Sequence, residues 1–247
     1  MAAAIHVGVG GWTFEPWRGV FYPDKLPQKR ELAHMAGRLT ACEINGTFYS
    51  LQKPESYAKW RDETPDGFVF SLKGSRYIVN RRELATAGES MSRFFESGMT
   101  ELGPKLGPIL WQFAHTKRFN PDDFARFLDA LPTEHEGVRL RHALEPRHDS
   151  FKDERFVELA RARSCAIVYA EHDAYPRIDE RTADFAYARV QQSREEVNAG
   201  YEAAELDRLA ALAKGWAADG REVFLFFISG AKVRNPAAAE ALIARLE

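Results

Sequence analysis

Short apolar runs alternate with amphipathic stretches along this chain. Eight of the runs are rich in Val, Ile, Phe and Leu and are bounded by Gly, Pro, Asp or charged clusters, a pattern typical of β-strands. The predicted strands cover residues 5–10, 41–45, 68–73, 109–113, 141–147, 166–171, 185–190 and 222–227.

Amphipathic helices are predicted between most of these strands. Asn120 is a strong helix cap because Pro121 and two acids follow it, and Pro54 stands at a first-turn position. The predicted helices cover residues 29–39, 55–64, 83–102, 121–131, 153–163, 202–218 and 235–247. The segment 173–184 contains Pro176 and many charges, so the sixth helix is predicted to be short or missing.

The order of these elements favours one fold class. Strand–helix units of roughly 30 residues, repeated along the chain, are typical of an α/β fold of the single (β/α)8 TIM-barrel type. An open, doubly wound sheet is the alternative. No Pro- or Ser-rich linker divides the 247 residues, and 45% of them are hydrophobic, enough for a sizeable core. Residues 1–247 are therefore interpreted as one domain.

The composition narrows the classes of partner. The formal net charge is -2 and 28% of residues are charged, which gives no basic footprint for nucleic acid. No apolar run is long enough to cross a bilayer, and the first residues do not resemble a signal peptide. Cys42 and Cys165 lie in apolar segments and are interpreted as buried, reduced thiols. We therefore expect a cytoplasmic protein without a membrane partner.

Polar residues near the ends of five predicted strands share one parity. Because side chains alternate along a strand, residues two apart lie on the same face. In each of these strands the opposite parity is mainly apolar and suits packing beneath helices. The polar set consists of Glu43, Asn45, Ser71, Lys73, Gln112, Glu145, Arg147, Tyr187 and Arg189. Barrel geometry brings such strand ends to one mouth, where enzymes of this fold place their chemistry.

Two interpretations of this convergence are open. A ring of acids and bases can neutralise itself as a buried ion network that plugs the barrel. Burying each ion costs several kcal/mol unless it is paired or binds something, however, so a functional site is favoured, above all for Glu145 and Arg147. Asn45 is equally typical of a turn before Gly46. His148, which follows a strand end, is either a site residue or a surface loop residue.

Six short motifs follow one another along nearly the whole chain. They are Gly-Val-Gly-Gly-Trp at 8–12, Trp-Arg-Gly-Val-Phe-Tyr-Pro at 17–23, Glu-Ile-Asn-Gly-Thr-Phe-Tyr at 43–49, Thr-Pro-Asp-Gly-Phe-Val-Phe-Ser-Leu-Lys at 64–73, Leu-Gly-Pro-Ile-Leu-Trp-Gln-Phe at 106–113 and Leu-Glu-Pro-Arg-His at 144–148. In order and spacing they resemble the domain of unknown function 72, or YecE-like, family. The resemblance implies a (β/α)8-like barrel and brings no activity, because the family name records none.

The chain departs from that family pattern at three strand ends. It has Ser-Arg-Tyr-Ile-Val-Asn at 75–80 where many members carry Thr-His, Arg-Val-Gln-Gln at 189–192 in place of Arg-x-His-Gly, and Ile-Ser-Gly at 228–230 in place of Asn-Asn. Roles that rest on those histidines or asparagines are not carried over. The residues that still match are Glu43, Asn45, Thr47, Tyr49, Lys73, Gln112, Glu145, Arg147, His148 and Arg189.

The matching set favours a protein that binds or hydrolyses a small polar or anionic ligand containing phosphate or sugar. Lys73, Arg147 and Arg189 offer donors for a phosphate or carboxylate. Glu43 and Glu145 come from strands well apart and are predicted as catalytic carboxylates, since paired carboxylates can act as acid and base in hydrolysis.

The other residues predicted to bind the substrate are polar or aromatic. Aromatic side chains can wall a pocket and stack on a sugar or base. Trp12 and Tyr49, with Trp17 and Phe48, are candidates for such walls. The remaining predicted substrate-binding residues are Asn45, Thr47, Gln112, His148 and Tyr187. The sequence indicates no particular cofactor.

Two alternative functions remain open at this point. A metal-dependent nuclease can use Glu145, His148, Glu171 and His172 as ligands, although the slightly acidic composition argues against a nucleic-acid partner. A binding protein without turnover is favoured by the three departures from the family pattern. The predicted partner in the first interpretation is a small anionic ligand, with no metal ion assigned.

Overall fold

Nine parallel strands form one large sheet in the structure, a computed structural model that describes residues 3–247. A short antiparallel hairpin, β5 with β6, stands apart from it. The strands are β1 (Ile5–Gly10), β2 (Ala41–Ile44), β3 (Val69–Lys73), β4 (Leu106–Gln112), β5 (Glu134–His135), β6 (Val138–Arg139), β7 (His142–Glu145), β8 (Ala166–Ile167), β9 (Tyr169–Glu171), β10 (Phe185–Val190) and β11 (Glu222–Phe227).

The sheet curls into a nearly closed barrel. Its strand order is β8-β7-β4-β3-β2-β1-β11-β10-β9, so the two ends of the sheet, β8 and β9, are consecutive in the chain. They are the halves of the sixth predicted strand, interrupted at Val168, whose backbone N–H donates to the Leu144 carbonyl at 2.9 Å. All eight predicted strands are therefore present, and the predicted α/β barrel is confirmed.

Helices follow most strands, as the sequence pattern predicts. At the start of α6 the Asn120 side chain accepts a hydrogen bond from the Asp123 N–H at 3.1 Å, which confirms the predicted cap. Between β9 and β10 the structure has no helix, as predicted. The helices are α1 (Glu31–Ala36), α2 (Gly46–Tyr49), α3 (Pro54–Asp62), α4 (Arg76–Val79), α5 (Gly88–Phe95), α6 (Pro121–Asp129), α7 (Glu154–Ala162), α8 (Ala203–Ala218) and α9 (Asn235–Leu246). Within residues 3–247, none of them is long and apolar enough to span a bilayer.

The prediction of a single helix over residues 83–102 is wrong, because the helix in the structure is shorter. The segment contains α5 flanked by two 3₁₀ segments, Leu84–Thr86 and Met99–Lys105. Gly98 has a φ of 88°, a left-handed conformation that ends a right-handed helix and that glycine adopts without steric cost. The apolar periodicity continued across this break, so the pattern overestimated the length of the helix.

The barrel separates two apolar layers. Outward-facing strand residues such as Val7 and Cys42 pack beneath the helices, whereas inward-facing residues such as Leu110 and Phe226 fill the barrel. At the N-terminal end of the barrel, Arg141 lies over the Phe224 ring at 4.7 Å. Inward polar side chains therefore lie at both ends of the barrel. Glu222 bonds to His6 and Arg141 at the N-terminal end, and the predicted polar set lies at the C-terminal end.

Gly8 permits the close approach of β1 and β2. A Cβ atom at this position would lie 1.9 Å from the Ala41 carbonyl oxygen, which is backbone and cannot turn aside. We expect Gly8→Ala to lower the free energy of unfolding by about 3 kcal/mol, as measured by urea titration. The control is Gly215→Ala in α8, where a Cβ meets nothing and helix propensity favours alanine by about 1 kcal/mol. Equal stability of the two variants would contradict this account of the β1–β2 contact.

Candidate functional site

One guanidinium bridges two carboxylates at the centre of the C-terminal end. Arg189 on β10 donates from Nε and Nη2 to both oxygens of Glu43 on β2, at 3.0 and 3.1 Å. Its Nη1 donates to Oε2 of Glu145 on β7 at 2.5 Å. The exposed fractions of Glu43, Glu145 and Arg189 are 0%, 0% and 1%. The inward parity predicted for these residues therefore holds, and the space between the two carboxylates is occupied by Arg189.

Tyr187 and Ser71 complete the surroundings of Glu43. The Tyr187 hydroxyl donates to Glu43 Oε2 at 2.9 Å and lies 2.7 Å from the Ser71 hydroxyl oxygen. Ser71 also donates to the Pro108 carbonyl at 2.7 Å. Burial, followed by the charge of Glu43, raises the pKa of Tyr187 well above its usual value, so the hydroxyl stays protonated. Both oxygens of Glu43 are thus occupied by donors.

Glu145 is held by donors from four side chains. Besides Arg189, its Oε2 accepts from Gln112 at 2.7 Å, and its Oε1 accepts from Arg147 at 3.2 Å and Gln191 at 3.3 Å. Burial alone would raise the pKa of this carboxyl, but the charges of Arg189 and Arg147 outweigh it and the net shift is downward. Glu145 is therefore ionised at neutral pH.

Lys73 at the end of β3 has no such partners. Its exposed fraction is 9%, so its Nζ keeps a small contact with solvent, and within residues 3–247 this Nζ donates no hydrogen bond and forms no ion pair. The amine lies 4.5 Å from the centroid of the Phe48 ring. Burial, and then the nearby charge of Arg189, lower the pKa of Lys73 to about 8, although Glu43 and Glu145 act in the opposite direction. Lys73 is therefore a desolvated amine that is still mostly protonated at pH 7.

The cluster as a whole carries more cations than anions. Lys73, Arg147 and Arg189 contribute three positive charges, and Glu43 and Glu145 contribute two negative ones. Arg189 is bound by both carboxylates and Arg147 by one of them. The uncompensated charge is consequently that of Lys73.

Trp12 and Asn45 lie beside this cluster, in a neighbouring cavity. The cavity has a volume of about 350 Å³ and opens above the ends of β1 and β2. Trp12 packs edge-on against Trp60, with ring centroids 5.2 Å apart. The other polar side chains that line it include Gln52 and Lys232. Trp12 therefore lines a cavity that also contains a cation, and its role in binding a substrate stays a prediction.

Three of the predicted substrate-binding residues lie outside the buried cluster. The Thr47 hydroxyl contacts the Lys73 carbonyl at 2.7 Å and the Ile44 carbonyl at 2.9 Å, and so ties the ends of β2 and β3 together. Tyr49 is 60% exposed on α2. His148 caps a turn by accepting from the Ser150 N–H at 3.0 Å. The local contacts of Thr47 and His148 account for their polar groups without a ligand.

The four ligands of the alternative metal site are not brought together. Glu171 points outward and forms an ion pair with Arg208, and the His172 ring stacks on Tyr175 at 4.1 Å. Glu145 lies in the buried cluster, and His148 caps its own turn. Across the described part of the chain, residues 3–247, no three His, Cys, Asp or Glu side chains are grouped so as to hold a metal ion.

Sequence and structure comparisons place the chain in a family. The family model described as "Protein of unknown function DUF72" matches residues 6–247, nearly the whole chain. The chain belongs to this family. The resemblance seen in its motifs is thereby confirmed, and the family description names no activity.

A curated relative supports the same assignment. The "UPF0759 protein YecE" of Escherichia coli (strain K12) is 30% identical to this DUF72 chain over 142 residues, which cover 56% of the chain and 48% of the relative. The matched stretch therefore spans about half the length of that protein.

Solved structures of DUF72 proteins share the barrel. One from Thermotoga maritima has a TM-score of 0.75 at 22% identity, covering 97% of both chains. One from Enterococcus faecalis V583 has a TM-score of 0.77 at 17% identity, covering 98% of this chain and 95% of that one. At these identities the likeness establishes the fold.

Two members of the site were missed by sequence reasoning. Gln191 is buried, accepts from Arg147 at 3.1 Å and donates to Glu145. It follows Arg189 by two residues, so strand parity contained the signal; in the DUF72 pattern a histidine is expected here. Tyr175 lies in the loop after β9, with its ring 4.3 Å from the Arg147 guanidinium. No local pattern marks a loop residue that becomes a wall of the site only through the fold.

A second cavity, which is basic, lies above the ends of β3 and β4, whereas the cavity at Trp12 lies above β1 and β2. The basic cavity has a volume of about 510 Å³ and is formed by the segments that follow β3 and β4. Its charged lining residues are Arg81, Arg82, Lys117 and Arg118; within residues 3–247 no acidic side chain lines it. The two cavities and the buried cluster thus share the C-terminal end of the barrel, where cations predominate.

Proposed function

We propose that this DUF72 protein binds a small anionic ligand, containing phosphate or sugar, at the C-terminal mouth of its barrel. Lys73 and Arg147 contact the anion in this proposal. The observation that carries it is the ammonium group of Lys73, which lies on a side chain only 9% exposed and forms no ion pair and no hydrogen bond among residues 3–247.

The cost of an unpaired buried charge supports this assignment. Removing an ammonium group from water is unfavourable by several kcal/mol unless an opposite charge or acceptors replace the solvent. An anionic ligand supplies both. Arg147 offers a second point of attachment, because its Nε and Nη2 are used by Glu145 and Gln191 while Nη1 has no acceptor within residues 3–247. A guanidinium edge and an ammonium group together suit a phosphate or carboxylate.

The surroundings favour a ligand larger than a lone ion. The cavity at Trp12 provides an aromatic face beside polar groups, which is the environment that sugars and bases occupy in proteins. The basic cavity beyond β3 provides further positive potential for an anionic group. A phosphorylated or otherwise anionic polar molecule fits both features.

In this proposal the buried carboxylates position the two arginines and do not contact the ligand. All four oxygens of Glu43 and Glu145 accept hydrogen bonds, so both groups hold Arg189 and Arg147 in place. The catalytic roles predicted for Glu43 and Glu145 stay predictions. Hydrolysis requires one of them to exchange a proton, which the cation-bound geometry of Glu145 disfavours.

Binding of phosphate should depend on Lys73. We expect inorganic phosphate and glucose 6-phosphate to raise the melting temperature of the wild-type protein, since a ligand of the folded state stabilises it by mass action, by about 2.7 kcal/mol at 100 times its Kd. The rise should shrink as pH increases through about 8, because Lys73 then loses its proton and its charge.

Matched variants separate this effect from general salt effects. Lys73→Met should lose most of the shift, whereas Lys59→Met, at a side chain 63% exposed on the surface, should keep it. Differential scanning fluorimetry at constant ionic strength measures all three proteins. An equal shift in wild type and Lys73→Met would show that phosphate acts elsewhere or non-specifically.

A further inference from the structure

Lys73 differs from Lys105, the other buried lysine among residues 3–247. The exposed fraction of Lys105 is 7%, similar to the 9% of Lys73. The Lys105 amine donates to the carbonyls of Arg61 and Thr64 at 2.6 Å each, so its protonated form is fully satisfied. The Lys73 amine lies 4.5 Å from the centroid of the Phe48 ring and near the charged groups of the cluster, and within residues 3–247 it forms no hydrogen bond. The Lys105 ammonium group therefore stabilises the fold through its hydrogen bonds, whereas the Lys73 nitrogen is available to contact a ligand.

We infer that Lys73 forms an imine with a small aldehyde or ketone that carries a phosphate or carboxylate group. This inference rests on the anion site proposed above and names the chemical class of its ligand. The anionic group would lie on Arg147, and the carbonyl carbon would face the Lys73 nitrogen.

The reaction leaves the charge of the cluster unchanged. The unprotonated amine attacks the carbonyl carbon, and the carbonyl oxygen leaves as water with both amine hydrogens. In the overall reaction, which starts from the ammonium form, two of the three hydrogens on the Lys73 nitrogen leave in the water. The third stays on the iminium nitrogen. One positive charge is present before and after the step. Imine formation by the bound ligand therefore does not change the charge that Glu43, Glu145, Arg147 and Arg189 meet at the Lys73 nitrogen.

The environment increases the unprotonated, nucleophilic fraction of the amine relative to an ordinary lysine. Desolvation and a neighbouring cation are the two ways in which proteins make lysine reactive toward carbonyl groups, and Lys73 has both. With a pKa of about 8, roughly a tenth of the amine is unprotonated at pH 7, against fewer than about one in a thousand for an ordinary lysine. The Phe48 face accepts the ammonium form without offering it a strong hydrogen bond.

Reductive trapping tests the inference directly. The protein is incubated near neutral pH with dihydroxyacetone phosphate, reduced with sodium borohydride, digested and mapped by mass spectrometry. We expect labelling of Lys73 to exceed that of the exposed Lys59 by at least about tenfold, because the larger unprotonated fraction outweighs the lower intrinsic nucleophilicity. The rate of labelling at Lys73 should rise with pH and level off above about 8.

A charge-preserving variant separates the imine from anion binding. Lys73→Arg keeps a cation but cannot form an imine, so it should lose the adduct. Glycerol 3-phosphate, which has no carbonyl group, should stabilise the wild type without forming an adduct. Stabilisation of the wild type by glycerol 3-phosphate without a Lys73 adduct from dihydroxyacetone phosphate would overturn the imine and leave the proposed function standing. No stabilisation by glycerol 3-phosphate or dihydroxyacetone phosphate, together with uniform labelling of lysines, would overturn both.

Discussion

Replacement of Arg189 by Met is expected to destabilise the protein by about 3–5 kcal/mol at neutral pH. The substitution leaves the carboxylates of Glu43 and Glu145 fully buried and facing each other without the cation that bridges them. Removing one partner of a buried ion pair is costly because the remaining charge stays desolvated. Urea titration with circular dichroism measures the change in the free energy of unfolding.

The pH dependence of this variant gives a second readout. In the wild type the pKa of Glu145 is lowered, so its contribution to stability is present above the usual glutamate pKa and is lost as pH falls. Without Arg189, the largest charge that lowers the pKa of Glu145 is gone and burial raises this pKa, so Arg189→Met should recover stability on acidification. Arg139→Met is the control, because its pair with Asp184 is exposed and worth less than about 1 kcal/mol. Equal stability of the two variants would show that the bridge is energetically unimportant.

Replacement of Lys73 by Met is expected to raise the free energy of unfolding, the opposite of the effect expected for Arg189→Met. Without ligand, this variant should be more stable than the wild type by up to about 3 kcal/mol at neutral pH. The folded state lowers the pKa of Lys73 from about 10.5 to about 8, and each unit corresponds to about 1.4 kcal/mol against the charged form. Methionine fills a similar volume without a charge.

The sign follows from proton linkage. Because the folded pKa lies below the unfolded one, the unfolded chain binds more protons between about pH 8 and 10.5. The penalty of Lys73 is therefore complete below about pH 8 and disappears as pH rises through that window. Stability curves of wild type and Lys73→Met should converge at high pH. Lys59→Met should show no such pH-dependent difference.

The Lys73 variant distinguishes the two interpretations of the inward charges. If the ring of acids and bases only plugs the barrel, Lys73 is a stabilising member and its loss lowers stability at neutral pH. If Lys73 instead binds an anionic ligand, Lys73→Met should be more stable than the wild type and should bind phosphate more weakly. A destabilised Lys73→Met protein would therefore argue for the self-neutralising network and against the proposed function.

Local patterns were sufficient for the barrel and for one face of the site. The period of two along β10 placed Tyr187 and Arg189 inside, and the same rule contained Gln191, which lies buried two residues further on. That rule also explains Glu171, because Ala166 and Val168 face inward and residue 171 has the opposite parity. Strand parity is a property of neighbouring residues, so sequence alone carries it.

The sequence by itself determined the alternation of strands and helices, the missing sixth helix and the inward direction of the polar side chains, since each depends on residues a few positions apart. Only the tertiary structure decided which charges pair. Arg189 lies between Glu43 and Glu145 although 146 and 44 positions separate them in the chain, and Lys73 is left without a partner. Such pairing depends on ångström distances between strands that fold next to one another, and no local pattern encodes those distances.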